Sequence, residues 1–467
     1  MTTPIRFPHE DLSNANREVL DRLEPVALRT FTPSKALFSK SYGVFHETPE
    51  GRRLYDFSSG VLVANLGHNP VRWMRRFGEL MRWQPDFFGP SSKPDEGYHA
   101  AVTLTAYNAA TPLESQATSR LVDSLRTTSL GNRLQQVMWA ASGSEAVQKA
   151  LWACLHFHPE RNIILATRHG FHGKKGLAGA VTGSEESPDR DPRVRFIGFP
   201  RAEIDDVSRM QQTLDLTPFS QELDAIAREL GPQINCLITE PYLGGGGSYH
   251  PPAEYLQLLV NWCRKHDVLF ILDEVQSNFG RTGRMYAFEK YGIEPDFVCL
   301  GKGLGNGVPV SAAAGRADVM ASLKYGEASD TWSANPISCA AVIATLDEFE
   351  RTKIVDNISS RTEQFVAGLN RLKETGLVAK VRGEGMVFGI ECAAVGKKAS
   401  QEVAIEIVRA CYLGDGHHGI HLLGPLAGNV IRISPPLTIT EAEATDSLDL
   451  LYRLIAGLAS SMSVARH

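Results

Sequence analysis

The sequence predicts an α/β protein: a large domain with a mostly parallel sheet, joined to a smaller α+β lobe made from both ends of the chain. Three observations lead there. From about residue 135, short apolar runs alternate with amphipathic helical patterns, as strand–helix–strand units require. Before residue 70 and after about residue 340 that alternation gives way to a different pattern. The length of 467 residues, 43% of them hydrophobic, supports a large core and exceeds what one small domain needs.

The expected buried strands are Gln136–Trp139, Asn162–Ala166, Asn235–Thr239, Val268–Leu272, Asp296–Leu300 and Val310–Ala314. Between them lie segments such as Ala253–His266, with Leu256, Leu259 and Trp262 on one helical face. Pro336–Arg351 reads as a long helix leaving the main sheet. It is followed by a helical stretch near Glu363–Thr375, a strand at Met386–Glu391 and a last helix from Glu441. The expected division is residues 1–69 for the N-terminal part of the small lobe, 70–340 for the large domain, and 341–467 for the C-terminal small domain. Ser184–Pro192, SEESPDRDP, has the composition of a surface loop.

Charge narrows the function classes. There are 48 basic and 53 acidic residues, a net charge of −5, with no block of one sign. Nucleic-acid and membrane-surface binding therefore have no electrostatic footprint. The polar start, MTTPIRFPHEDLSNANREVL, lacks the apolar core of a signal peptide, and no apolar run approaches the ~18 residues of a membrane span. The seven cysteines (154, 236, 263, 299, 339, 392 and 411) are scattered, form no CxxC pair and partly sit in apolar runs. They read as buried free thiols in a reducing compartment, so a cytoplasmic enzyme is expected.

In open α/β sheets, ligands bind beyond the carboxyl ends of the strands. Asp273 ends the apolar strand in ILDEV; by itself it is as readily a turn or capping residue as a functional carboxylate. The strand DFVCLG runs into Lys302, 29 positions later, between Gly301 and Gly303. A lone lysine is normally a solvated surface residue. One held at the mouth of a buried strand loses solvation, and its pKa falls toward that of a usable nucleophile. Lysine plus carboxylate is the pair that pyridoxal 5'-phosphate (PLP) requires: the amine forms an imine, and the acid keeps the pyridine nitrogen protonated.

PLP also needs a phosphate cradle. ASGSEAVQKALWAC turns from the strand QVMWA straight into a helix, with Gly143 permitting close backbone approach and Ser144 offering a hydroxyl. Capping by Ser142 or Ser144, with Glu145 in the first turn, is compatible with that role. After NIILAT comes HGFHG, where Phe171 is placed to lie on a cofactor ring, against the plainer reading of a core phenylalanine. His172 reads as a satisfied loop histidine. No ligand pattern makes a metal site of His169 and His172, nor of His417, His418 and His421, which are expected in a loop; no metal is predicted.

Together these segments resemble the class III (ornithine/4-aminobutyrate/omega-type) aminotransferases of PLP fold type I, from roughly Leu54 to the C-terminus. The motifs are YDFSSG, LGH, SGSEA, FHG, TEP, LDEVQSNFGRTGRMYAFEKYGIEPDFVCLGKGLGNGVPVSA, TWSANP and RISPPL. The resemblance implies a mostly parallel sheet of the seven-stranded type and a homodimer with shared active sites. It implies Lys302 as the imine lysine and Asp273 as the pyridine-nitrogen partner. Gln276 matches the residue that bonds the phenolic oxygen, Phe171 the stacking aromatic, and Gly143 and Ser144 the phosphate loop. Thr331 matches a threonine that reaches the neighbouring subunit's phosphate, Glu240 an active-site glutamate, and Arg432 the arginine that pairs with a substrate carboxylate.

Two segments depart from the pattern. Many relatives read EPxQGExG where this chain reads EPYLGGGG, so the glutamate that pairs with the arginine in ornithine and 4-aminobutyrate types falls on Gly245. Ser333 and Ala334 in TWSANP stand where glycines usually precede Asn-Pro. The expected activity is amino transfer between a carboxylate-bearing amino acid, glutamate or alanine, and a terminal aldehyde or primary amine. RISPP and HLLGPLAGN resemble enzymes of secondary metabolism, including those that aminate aminoglycoside sugars, which points to antibiotic biosynthesis. The alternatives are other PLP chemistry on the same scaffold (decarboxylase, racemase or aminomutase), since fold does not fix reaction, and a non-catalytic binding protein. A nucleotide-binding protein ranks last because GxxxxGK[ST] is absent.

Overall fold

Runs such as IILAT, INCLIT, LFILD and FVCL are buried along their whole length, which is how strands covered on both faces read. They form the centre of a computed structural model that describes residues 5–28, 30–83, 101–187, 190–209, 212–425 and 427–464. Pro188 and Asp189 of the expected surface loop, and Leu426 of HLLGPLAGN, lie outside the described residues.

In chain order, Lys40–Tyr42 (β1), Phe45–Glu47 (β2) and Arg53–Asp56 (β3) form an antiparallel meander. The central strands are Gln136–Ala140 (β4), Ile163–Thr167 (β5), Val194–Ile197 (β6), Ile234–Thr239 (β7), Leu269–Asp273 (β8), Phe297–Leu300 (β9) and Ser311–Gly315 (β10). Toward the C-terminus come Val378–Glu384 (β11), Val387–Cys392 (β12), His418–His421 (β13) and Val430–Ile433 (β14).

Among the described residues the central sheet has seven strands, in the order β4-β10-β9-β8-β7-β5-β6. β10 runs antiparallel to both its neighbours, and the remaining pairs are parallel. The mostly parallel α/β sheet expected from the alternating pattern is therefore present. β11, β12 and β14 make a separate antiparallel sheet, while β13 joins β3 in parallel. Both ends of the chain thus share one small sheet. All seven cysteines are buried and free.

Three sequence expectations need correction. His418 and His421 are not in a loop: they bound β13, held by backbone pairing with β3 about 365 residues away. HHGIH carries no strand signal of its own, so its structure comes from that distant partner. The helix expected near Glu363–Thr375 begins earlier, at Ile354, and runs to Arg371 before a tight last turn, Leu372–Thr375. Polar Asn357, Ser359 and Ser360 mask its apolar face, which buries Ile358, Phe365 and Leu369. The strand placed at Met386–Glu391 starts one residue later, because Gly385 and Met386 make the turn from β11.

Arg281, from the GRTG motif, is completely buried. Its guanidinium donates to the Met386 and Pro435 carbonyls (2.9 and 2.6 Å), to Asn65 Oδ1 (2.6 Å) and to Ser59 Oγ (3.3 Å). One cation thus ties the segment after β8 to both ends of the chain.

Candidate active site

The parallel strands all point their carboxyl ends the same way, so the residues that follow them converge. β4 leads to Ser142–Ser144, β5 to His169–Gly173, β7 to Glu240, β8 ends on Asp273, and β9 leads through Gly301 to Lys302. Gly143, Ser144, Phe171, Glu240, Asp273, Gln276 and Lys302 all line one cavity of about 340 Å³. Arg432 and Thr331 are not among its lining residues. Arg432 is buried on β14 and donates to the Gly244 carbonyl. Thr331 lies on an exposed turn.

Each wall is held by its own bonds. The helix Gly143–Phe157 opens with a reciprocal cap, in which Ser142 Oγ accepts from Glu145 N and the Glu145 carboxylate accepts from Ser142 N. The N–H groups of that first turn are the free donors and positive dipole end that bind anions. Asp273 Oδ1 accepts from Val275 N at 3.0 Å, and Oδ2 accepts from His172 Nδ1 at 2.8 Å. The neighbouring Glu274 accepts from Ala287 N and Phe288 N at 2.6 and 2.7 Å, which fixes the backbone on which Asp273 sits. Lys302 adopts a left-handed backbone, φ 48°, a conformation that costs energy for a non-glycine residue and is found where geometry at a site demands it.

Burial shapes the titration. Loss of solvation pushes the Lys302 amine down to about 8, and Arg432 acts in the same direction, while Asp273 and Glu240 oppose it. Burial likewise raises the Glu240 carboxyl to about 7, with His172 opposing and Asp273 adding to the rise. Glu240 accepts from Phe171 N (2.9 Å), Gly244 N (3.3 Å) and Gln276 Nε2 (3.4 Å).

PLP needs an acid at its ring nitrogen, a donor at its phenolic oxygen, an anion cradle and an amine. The cavity presents Asp273, Gln276, the Ser142–Ser144 helix start and Lys302. Gln276 Nε2 gives one N–H to Glu240 and, among the described residues, keeps the other for an acceptor in the cavity, while His172 Nε2 is buried with no hydrogen-bond partner among those residues. The donor set fits the group. His172, read from sequence as a satisfied loop histidine, instead bonds Asp273 and lines the cavity. Ser142, Val275 and Ser311 also line it; they lie in the motifs SGSEA, LDEVQ and GVPVSA but are given no binding role by the sequence, and HGFHG at a strand end was the signal that could have singled out His172.

This sheet, with an amine and a carboxylate at adjacent strand ends, defines a fold type I PLP enzyme. Residues 97–455 match the model of the family described as aminotransferase class-III, and the chain belongs to that family. The chain is 28% identical to the acetylornithine aminotransferase of Agrobacterium fabrum, over 93% of this chain and 97% of that protein. It is 27% identical to the 4-aminobutyrate aminotransferase of Mycobacterium leprae, over 89% and 90%. In fold it is similar to an amine transaminase of an uncultivated Pseudomonas species, solved with PLP bound. That match has a TM-score of 0.76 and 24% identity, over 98% of this chain and 99% of that one. The protein is therefore a PLP-dependent aminotransferase acting on small amine and oxo compounds. No helix among the described residues is long and apolar enough to cross a membrane.

Proposed function

We propose that the enzyme moves an amino group between glutamate or alanine and a terminal aldehyde or primary amine of a bulky polar compound such as an amino sugar. The observation that carries this reading is the glycine run after β7. A Cβ at Gly245 would lie 2.9 Å from Phe171 Cβ, and one at Gly244 would collide with Gln276 Oε1. Side chains are thus barred there, and the glycines are not merely a flexible link: their backbone packs against Phe171 and Gln276. On the side of Gly245 and Gly246 lies a further cavity of about 480 Å³, with His169, Arg201, Tyr249, Glu391 and Asn429 on its walls. Those side chains offer the donors and acceptors that a hydroxyl-rich acceptor needs.

When bound, PLP supplies an aldehyde carbon and a conjugated ring that accepts the electron pair released from the substrate carbon. The rest falls to this chain. Lys302, its amine made available by burial, would hold the cofactor and, when its amine is free, would move a proton at the substrate carbon. Asp273 keeps a proton on the ring nitrogen, and His172, donating from Nδ1, holds that carboxylate in orientation. Gln276 would donate to the phenolic oxygen through Nε2, while Glu240, held by three donors, buttresses Gln276. Phe171 would lie against the ring, and the first turn of the helix from Gly143, with Ser144, would hold the phosphate. Thr331, exposed in a single chain, serves the phosphate of a second subunit in a homodimer.

Arg432 offers the partner amino acid's carboxylate a planar, charge-assisted fork once it releases the Gly244 carbonyl. The test compares half-reactions spectroscopically. Arg432→Ala should damage the glutamate half-reaction far more than that of an amine without a carboxylate. Equal damage to both, or a preference for α-amino acids in both half-reactions, rejects the terminal-amine reading.

A further inference from the structure

Away from the cofactor cavity, a buried group of side chains at the edge of the small sheet has no part in the chemistry above. His46 on β2, Asp56 at the end of β3 and His68 place one ligand atom each within 4.8 Å of one another. His68 Nε2 donates to Asp56 Oδ2 at 2.6 Å, and His46 Nε2 stands 3.5 Å from the same oxygen. A hydrogen-bonded Asp56–His68 pair closing the intervening loop would account for two of the three. It does not account for His46, which is 4% exposed and whose Nε2, apart from its 3.5 Å approach to Asp56, has no hydrogen-bond partner among the described residues.

We propose that His46, Asp56 and His68 bind one divalent transition-metal ion of the zinc class. Ligand atoms around a tetrahedral ion with bonds of about 2.0–2.2 Å stand roughly 3.3–3.6 Å apart, so the 3.5 Å edge fits, while the 2.6 Å edge must open and the His46–His68 edge, within 4.8 Å, must settle to that spacing by side-chain rotation. The atoms turned away from the site are held by hydrogen bonds, which is how the far sides of metal ligands are oriented. His46 Nδ1 bonds Ser41 Oγ at 2.7 Å, and Asp56 Oδ1 accepts from Ser58 N at 2.7 Å. Phe38 stacks on the His46 ring at 3.8 Å and 7° and shields it from water. Two imidazoles and one carboxylate suit zinc, cobalt or nickel, and are a poor set for calcium or magnesium.

On binding, the ion takes the place of the proton that His68 Nε2 shares with Asp56 Oδ2; that proton moves to His68 Nδ1, or to solvent if Nδ1 already carries one, so that a neutral imidazole meets the metal. Asp56 and His68 bracket the segment 57–67. That segment contains the left-handed turn Ser59–Leu62, and its Val63 lines the cofactor cavity. The ion would therefore fasten, from outside, a strained segment that walls the active site.

The experiment uses tag-free holoenzyme, stripped with a chelator and titrated with zinc chloride. Bound metal is counted after gel filtration and the thermal midpoint is measured. Wild type should retain one zinc per chain and gain several degrees. His46→Leu, which removes a ligand and buries no new polar group, should retain less than a tenth as much and show no thermal gain. His68→Gln should behave the same way, and the cofactor absorbance of each variant reports that it is folded. Wild type that retains no zinc, or a folded His46→Leu or His68→Gln protein that retains as much as wild type, overturns the proposal.

Discussion

The depressed amine of Lys302 makes cofactor capture a titration that can be watched directly. Only the neutral amine attacks the PLP aldehyde. Burial brings this group down to about 8 from an ordinary 10.5. At pH 7 about a tenth of it is then neutral, ~300-fold more than in an unperturbed lysine. Mixing cofactor-free enzyme with PLP between pH 6 and 11 should give a capture rate, read from the absorbance of the linked cofactor, that rises with pH to half its plateau near 8. Arg432→Gln removes a positive charge that helps to lower the amine, so it should move that midpoint upward. The same shift acts on stability. Between about 8 and 10.5 the folded cofactor-free chain binds fewer protons than the unfolded one, so it should gain stability as pH rises through that window. A capture midpoint near 10.5, unmoved by Arg432→Gln, refutes the reasoning.

Asp273→Asn should leave a folded, PLP-loaded protein whose kcat is lower by about a hundredfold or more, the scale of a lost buried electrostatic contact; turnover near wild type rejects the role. Lys302→Ala should abolish the borohydride-reducible linkage, and mass-mapping of that linkage to another lysine sinks the assignment. Glu240, raised from 4.5 to about 7, binds a proton in the folded state that the unfolded chain has lost, so stability should fall as pH rises through that window. Its share is about 3 kcal/mol, and Glu240→Gln should remove it from the difference between pH 4 and pH 8 in denaturant unfolding of the cofactor-free protein; the same pH slope in both proteins counts against it. Mixed Lys302→Ala and Thr331→Ala chains should regain activity through one intact site per heterodimer, and a mixture no better than its parents removes the shared-site reading.

The central sheet could be read in advance because its strands are local facts. INCLIT and LFILD are mostly apolar and wholly buried; LFILD ends on Asp273 and INCLIT is followed at once by Glu240, both of which line the cavity. Asp273 and Lys302 were legible for the same reason, since an acid and a lysine at the ends of buried strands are conspicuous. What stayed hidden depends on partners distant in the chain. β13 is a strand only because β3 lies beside it. His172 matters through Asp273, 101 residues away. The His46, Asp56 and His68 group has no short ligand spacing and is gathered by the meander of β1 to β3 and the turn beyond it. The packing of Gly244 and Gly245 against Gln276 and Phe171 likewise becomes visible only when two loops are brought together.

The parallel pairing of β13 with β3 sets an order of events during synthesis. β3 leaves the ribosome about 365 residues before the strand that covers its open edge. Until then the nascent protein carries an unpaired strand edge of the kind that recruits other chains. The Arg281 guanidinium waits as well, because the Met386 and Pro435 carbonyls that it bridges are made after it. The strands of the central sheet, complete by Gly315, can pair long before that. Closure of the small sheet is therefore a late, long-range step. A chain cut short of residue 418 would keep every strand of the central sheet and still leave the β3 edge open, making it prone to associate with its own copies.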